Sequence, residues 1–184
     1  MIFSRLLGHN IFFSMILLQK SNGQKSMLRE TQDQVKSFDS ESEKNISIIQ
    51  SQLRSREYKF SAARGVLQKK KNKMPRPIVM APVKDRVVQR AILQVLQDHK
   101  SILNDLYTPY SFGGLQEKNV EKAVLEVQKT MSLGSSYFIK SDIKQFFTKI
   151  DKTKVMEIFS KTVPFEDVIE VLERSLETQL CKED

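Results

Sequence analysis

Hydrophobic positions along this chain follow both helical and extended spacing, which predicts an α+β protein. Steps of one, three and four residues predict an amphipathic helix with apolar positions Val87, Val88, Ala91, Ile92, Val95 and Leu96. Asp85 lies near the start of this helix, where a carboxylate suits the positive helix end. Further helices are predicted over Ile46–Leu53, over Val120–Met131 with a stop at Gly134, and around Val155–Phe159 and Val168–Leu176.

Two short apolar runs predict strands. Residues 76–82 are predicted to form a buried strand bracketed by prolines, because a proline restricts the residue before it to extended geometry. Tyr137–Ile139 is predicted to form a second strand that runs toward Asp142.

Residues 1–57 are predicted to be an N-terminal extension with an apolar helix and a polar linker. The apolar run Ile11–Leu18 is shorter than the roughly 20 residues that span a bilayer, and no convincing signal cleavage site follows it. It therefore predicts a buried or partner-facing helix. Residues 20–45 are rich in Ser, Gln, Lys, Glu and Asp, a composition typical of a linker or mobile arm.

The composition excludes several classes of protein. Of the 184 residues, 40% are hydrophobic and 28% are charged, so a packed core is expected. The single cysteine, Cys181, rules out an internal disulfide framework, and with only two histidines it cannot complete a structural zinc site. No Walker-type phosphate loop occurs. We expect a cytoplasmic, reduced protein without a membrane partner.

The positive charge is concentrated in one block. Residues 58–100 hold eleven basic and two acidic side chains, net +9, within a chain whose net charge is +8. A solvated face is the ordinary interpretation of a lysine run. Here, however, the run Lys69, Lys70, Lys71 and Lys73 leads directly into an apolar stretch, so the charge lies beside ordered structure. This placement favours contact with the phosphates of a nucleic acid.

Asp142 is the strongest candidate for chemistry. It follows an apolar run and is flanked by Lys140, Lys144 and Lys149. A lone aspartate after a strand is often a helix cap or turn residue. A carboxylate among cations is also well suited to Mg²⁺, which takes few carboxylates and leaves room for phosphate oxygens.

The pattern D-I-K-x-F-F, intact from Asp142 to Phe147, is similar to a motif of reverse transcriptases. Residues from about 58 to 180 resemble the fingers and first part of the palm of the bacterial enzymes of group II introns, retrons and phage defence. The resemblance implies that Asp142 is a catalytic metal ligand and that the Ile143 carbonyl lies beside the same metal. It also implies that Phe147 is the steric gate against a 2′-hydroxyl, whereas Phe146 is expected to pack in the core.

A second block lies upstream, in the order of the family. Arg76–Val79 followed by Lys84–Ile92 resembles the fingers signature R-P-(I/L)-x-I-P-x-x-x-D-R-(I/V)-(V/I)-Q, with a small departure at residues 80–82. The resemblance implies a basic hairpin that closes on the nucleotide triphosphate. Arg76 is the leading candidate for this contact, with Lys73 and Arg86 behind it. Arg86 is equally consistent with a structural salt bridge.

A third block, Tyr110–Leu115, loosely resembles the Y-G-F-R loop of the family. A glycine stands where the family has arginine, and this departure is closer to the defence-associated branches of the family. A role in retroelement mobility and a role in antiviral defence both remain open.

The resemblance implies a right-hand polymerase with RNA template, DNA primer or cDNA, dNTPs and two Mg²⁺ ions. Residues 58–134 are then the basic fingers region, and residues 135–184 are the start of the palm. A pair of Mg²⁺ ions about 3.5–4 Å apart needs more than one carboxylate, and no Tyr-x-Asp-Asp hairpin occurs in the 42 residues after Asp142. We therefore expect these 184 residues, with an incomplete palm, to be inactive alone. We expect them to be a fragment of a longer enzyme, one half of a split enzyme or a remnant that only binds.

Two other functions remain open. The basic block, with Tyr58, Phe60 and Tyr107 nearby, is also consistent with a non-catalytic module that binds a structured non-coding RNA. The apolar N-terminal segment is consistent with a protein-interaction role.

Overall fold

A computed structural model describes residues 29–70, 73–99, 102, 108–114, 118–143 and 146–181. The elements in these ranges are mostly helical, with one pair of strands. In chain order they are α1 (Arg29–Ser40), α2 (Ser42–Arg54), β1 (Arg64–Lys70), β2 (Lys73–Met80), α3 (Val83–Asp98), α4 (Val120–Ser132), α5 (Phe146–Lys149), α6 (Lys152–Thr162) and α7 (Glu166–Leu176). The predicted helix within residues 1–20 lies outside the described ranges.

The predicted linker over residues 20–45 is wrong for its second half, which is helical. α1 is polar on most of its surface but buries Val35 and Thr31, four positions apart on one face. α2 extends the short predicted helix at both ends and buries Ile46, Ile49 and Leu53. Composition alone suggested a linker because few apolar residues were present, but those few have helical spacing.

The core forms around α3, as its apolar stripe predicts. The buried side chains of this helix include Val87, Val88, Ala91 and Ile92, each no more than 2% exposed. α1 and α7 both pack on α3, and Val163, Val168 and Val171 complete the same cluster. Each fully buried aliphatic side chain contributes about 1.5–3 kcal/mol to stability. Segments from the predicted extension, fingers and palm therefore share one core.

β1 and β2 form an antiparallel hairpin that continues into α3. Cα pairs run from Arg64 opposite Met80 to Lys70 opposite Lys73, with an irregularity between Gln68 and Lys70. The strand predicted over residues 76–82 is therefore present, but it begins earlier and is not buried. Val79 is 60% exposed and Leu67 is 68% exposed, because a lone two-stranded ribbon has no further layer to cover both faces.

The start of β1 is tied to the chain after α7. Ala63 forms an isolated parallel bridge with Leu180. The Ala63 N–H donates to the Gln179 carbonyl at 2.8 Å, and the Cys181 N–H donates to the Ala63 carbonyl at 2.7 Å. The root of the hairpin is thereby fixed to the far end of the described chain.

The described residues between 108 and 150 bury no side chain. α4 forms as predicted, with Asn119 capping its first turn and Gly134 ending it at φ +102°. The strand predicted over Tyr137–Ile139 is wrong, since these residues are extended and exposed without a partner strand in the described ranges. A strand persists only where a neighbour satisfies its backbone groups.

No helix in the described part of the chain combines the length and apolar character needed to cross a bilayer.

Candidate nucleic-acid interface and metal position

The basic run lies at the tip of the hairpin. β1 ends at Lys70 and β2 begins at Lys73, and these two residues are paired across the strands. Like charges placed directly opposite each other in a sheet are destabilising. Lys69 precedes this pair on β1, and Lys71 is outside the described residues. Such a concentration of cations is stabilised when a polyanion binds.

Arg76, the leading candidate for a nucleotide contact, lies midway along β2. Its backbone is paired with Gln68 of β1. Lys73 is the first residue of the same strand.

Asp85 is buried at the start of α3 and is 1% exposed. It accepts a hydrogen bond from the Tyr58 hydroxyl at 2.6 Å and another from the Ser61 N–H at 2.9 Å. The carboxylate therefore fixes the loop between α2 and β1 beneath α3. Its favourable position near the helix end is as predicted, but the buried network is an additional role.

Tyr58 is the partner that sequence reasoning missed. It is 1% exposed, and its ring packs edge-on against Phe60 with centroids 5.2 Å apart. Burial, together with the hydrogen bond to Asp85 and its negative charge, raises the pKa of the Tyr58 hydroxyl well above its usual range. Lys84 Nζ lies 5.6 Å from the centroid of the same ring. This buried position makes Tyr58 a structural residue rather than a stacking platform for a base.

Arg86 is not among the hydrogen-bond partners of its neighbour Asp85. Its side chain is partly buried, and Nε is buried without a hydrogen-bond partner. Burial lowers the pKa of this guanidinium. Within the described ranges, ion pairs are formed by Lys44, Arg56, Arg64 and Arg174, and not by Arg86. The structure therefore offers no support for the salt-bridge alternative.

Asp142 lies in the exposed, irregular segment before α5. Ile143 follows it and is 71% exposed. Among the residues whose positions are described, no group of three acidic, histidine or cysteine side chains is arranged to hold a metal ion. Asp142 can supply one hard oxygen ligand to Mg²⁺, but a two-ion centre needs further carboxylates. The described residues alone therefore do not fit the complete metal centre.

The two phenylalanines of the D-I-K-x-F-F pattern begin the short helix α5. Phe146 is 45% exposed, so its predicted place in the core is wrong: α5 lies in the stretch that buries no side chain. Phe147 belongs to the same helical turn, and its side chain lies outside what the structure describes. Its proposed role as a steric gate stays a prediction.

An apolar groove of about 410 Å³ is lined by α4 and by part of the chain that leads to Asp142. α4 contributes Val127 and Met131, and the flanking chain contributes Tyr110, Phe112 and Phe138. The Tyr110–Leu115 block thus contributes two aromatic side chains to a surface that also includes the chain leading to Asp142.

Comparison with known proteins gives one distant similarity. No family model matches the sequence. Over 129 residues, 70% of this chain, the sequence is 26% identical to an uncharacterized 91 kDa protein in the cob intron of Schizosaccharomyces pombe. This chain is similar to an intron protein. The match spans 15% of that relative's length.

Proposed function

We propose that this chain is part of an RNA-directed DNA polymerase, which adds deoxynucleotides to a primer by two-metal nucleotidyl transfer. The observation that carries the proposal is the ordered pair of sequence blocks, Arg76–Ile92 in the fingers and Asp142–Phe147 in the palm. The first of these blocks includes the end of β2 and most of α3, and the β1–β2 hairpin that leads into it is rich in basic residues, which supports the proposal. Similarity to an intron protein supports the same proposal.

The proposed roles follow the position of each residue. Lysines at the hairpin tip bind nucleic acid, and Arg76 pairs with the triphosphate, with Lys73 and Arg86 nearby. Asp142 and the Ile143 carbonyl contribute to the Mg²⁺ site, where the metal lowers the barrier to phosphoryl transfer by neutralising developing charge. The remaining carboxylates come from residues other than those described.

The test uses the complete product of the gene that encodes this chain. Asp142→Ala is expected to reduce Mg²⁺-dependent cDNA synthesis on a primed RNA template by at least 100-fold, while RNA binding is retained. Asp98→Ala is the matched control, because this exposed carboxylate lies at the end of α3 and is expected to leave synthesis unchanged. Wild-type synthesis that survives Asp142→Ala would exclude the proposed metal ligand.

A non-catalytic RNA-binding module is the second candidate, and the basic hairpin tip favours it independently of Asp142. Salt-sensitive RNA binding without cDNA synthesis by the complete gene product would select this alternative. A split enzyme would instead regain synthesis when the polypeptide that carries the missing carboxylates is added.

A further inference from the structure

The two outer edges of the β1–β2 hairpin differ in their capacity to pair with a further strand. Pro77 lies opposite Leu67 and has no backbone N–H, so this pair is of the non-hydrogen-bonded kind, with its backbone groups turned outward. Gly65, two residues before Leu67, has the same direction. The outer edge of β1 therefore keeps its donors, whereas Pro77 removes a donor from the outer edge of β2 and disfavours a strand there.

The first position on the outer edge of β1 is already paired. The Ala63 N–H donates to the Gln179 carbonyl at 2.8 Å, and the Ala63 carbonyl accepts from the Cys181 N–H at 2.7 Å. Leu180, between these two partners, forms a parallel bridge with Ala63. Among the described residues no strand pairs with β1 on this side beyond Ala63. Gly65 is the next residue on the same edge, and its backbone groups continue the row that Ala63 begins.

The chain after α7 reaches this edge along a fixed path. The Thr178 hydroxyl donates to the Ser175 carbonyl at 2.8 Å, where the chain leaves α7. Arg174 donates to the Arg56 carbonyl at 2.7 Å, which ties the end of α7 to the loop before β1. Because the segment is held at α7 and again at Ala63, residues that follow it lose less conformational entropy on pairing than a free peptide loses.

We propose that residues 182–184, which lie outside the described ranges, continue this pairing as a third strand parallel to β1. In the register set by the bridge, the Gly65 N–H donates to the Cys181 carbonyl, and the Gly65 carbonyl accepts from the Glu183 N–H. The Leu67 N–H then donates to the Glu183 carbonyl. The hairpin is thereby joined to the chain after α7 along the edge of β1 rather than at one residue.

The composition of this segment suits the outer strand of a sheet. Lys182, Glu183 and Asp184 are all charged, and charged side chains on a short edge strand protect a sheet from pairing with other chains. A third strand also gives a neighbour to a two-stranded ribbon, which is marginally stable by itself.

Amide hydrogen exchange, measured by NMR on the 184-residue chain, tests the pairing. Glu183→Pro removes the N–H that donates to Gly65 and places the proline ring between the strands. The amides of Gly65 and Leu67 are expected to exchange at least about five-fold faster in this variant than in the wild type, the factor for loss of one backbone hydrogen bond. Val66 and Gln68 direct their amides to β2, so their rates are expected to change by less than about two-fold.

Lys182→Pro is the matched control, because in the proposed register the N–H of this residue points away from β1, where proline is tolerated. It is expected to keep the wild-type exchange rates at Gly65 and Leu67. Glu183→Ala removes the side chain but retains the N–H, so its rates are also expected to equal those of the wild type. The Ala63 amide, which is bonded within the described chain, reports that the root of the hairpin is intact in each variant.

Three outcomes overturn the inference. The first is exchange of Gly65 and Leu67 in the wild type at the rates found in Glu183→Pro. The second is an equal loss of protection in Lys182→Pro and Glu183→Pro, which would exclude the proposed register. The third is protection that rises with protein concentration, which would assign the edge to a second copy of the chain. None of these outcomes depends on RNA binding or cDNA synthesis, so failure of this inference and failure of the proposed function are distinguishable.

Discussion

Asp85 and Arg86 show how two adjacent charged residues can have opposite surroundings. The carboxylate is 1% exposed and accepts two hydrogen bonds, whereas the Arg86 side chain is partly buried and its Nε has no hydrogen-bond partner. A helix turns about 100° per residue, so neighbours need not share an environment. Asp85 therefore has a role in folding, whereas a contact between Arg86 and a nucleotide stays a prediction.

The Tyr58–Asp85 hydrogen bond predicts a dependence of stability on alkaline pH. The pKa of Tyr58 is raised in the folded protein above its ordinary value of 10.0. Below pH 10 the Tyr58 hydroxyl is protonated in both states, so its hydrogen bond to Asp85 makes its full contribution to the free energy of unfolding. Above pH 10 only the unfolded chain ionises this hydroxyl, so the free energy of unfolding falls by about 1.4 kcal/mol per pH unit from this residue.

Tyr58→Phe removes that alkaline contribution. At neutral pH the variant is expected to lose about 1–3 kcal/mol, because one oxygen of Asp85 is left buried without its donor. Urea unfolding at pH 7 to 11 measures both effects. Tyr137→Phe, at a side chain that is 95% exposed, is the matched control. An identical alkaline slope in Tyr58→Phe and the wild type would contradict the assignment.

At the scale of elements, periodicity predicted the helices well and the strands poorly. α3, α4, α6 and α7 were predictable because each carries its own apolar stripe and its own end signals. β1 was missed because Arg64–Lys70 has little alternation, and its pairing depends on β2. Of the candidate site, the basic tip could be located from sequence. The Tyr58–Asp85 contact could not, because it joins residues 27 positions apart.

The N-cap of α6 supplies a test of local helix stability. Asp151 accepts hydrogen bonds from the Thr153 N–H at 3.0 Å and the Lys154 N–H at 3.3 Å. Asp151→Ala is expected to cost about 1 kcal/mol, which lowers the melting temperature by about 2–4 °C in a chain of this size. Calorimetry measures the shift. The control Glu157→Ala, at an exposed position within α6, is expected to change the melting temperature by less than about 1 °C. Equal shifts would show that the cap contributes little.

Across the whole molecule, apolar surface is unevenly distributed. α1, α2, α3 and α7 share a core, whereas the chain from Gly134 to Ile143 exposes Phe138 by 74% and Ile139 by 91%. Exposed apolar stretches of this kind promote association. The same stretch leads to Asp142, so the candidate metal ligand is held less firmly than the core.

This distribution predicts that Phe138→Ser/Ile139→Ser reduces self-association without changing the free energy of unfolding by more than about 0.5 kcal/mol. Light scattering after size-exclusion chromatography measures the first effect, and urea unfolding measures the second. Ile92→Ser, at a side chain 2% exposed, is expected to lose several kcal/mol instead. A large loss of stability in the surface double variant would show that the segment packs against the body of the protein.

The packing of α7 against α3 also affects the nascent chain while the ribosome synthesises the protein. Val171, which helps to close the core, follows Leu96 by 75 residues. At about 5–20 residues per second, a ribosome needs about 4–15 s to add those residues after α3 has been made. Throughout that interval the apolar face of α3 lacks one of the helices that cover it. The nascent chain therefore presents a chaperone-binding surface for seconds, and slow codons between these two helices would prolong its exposure.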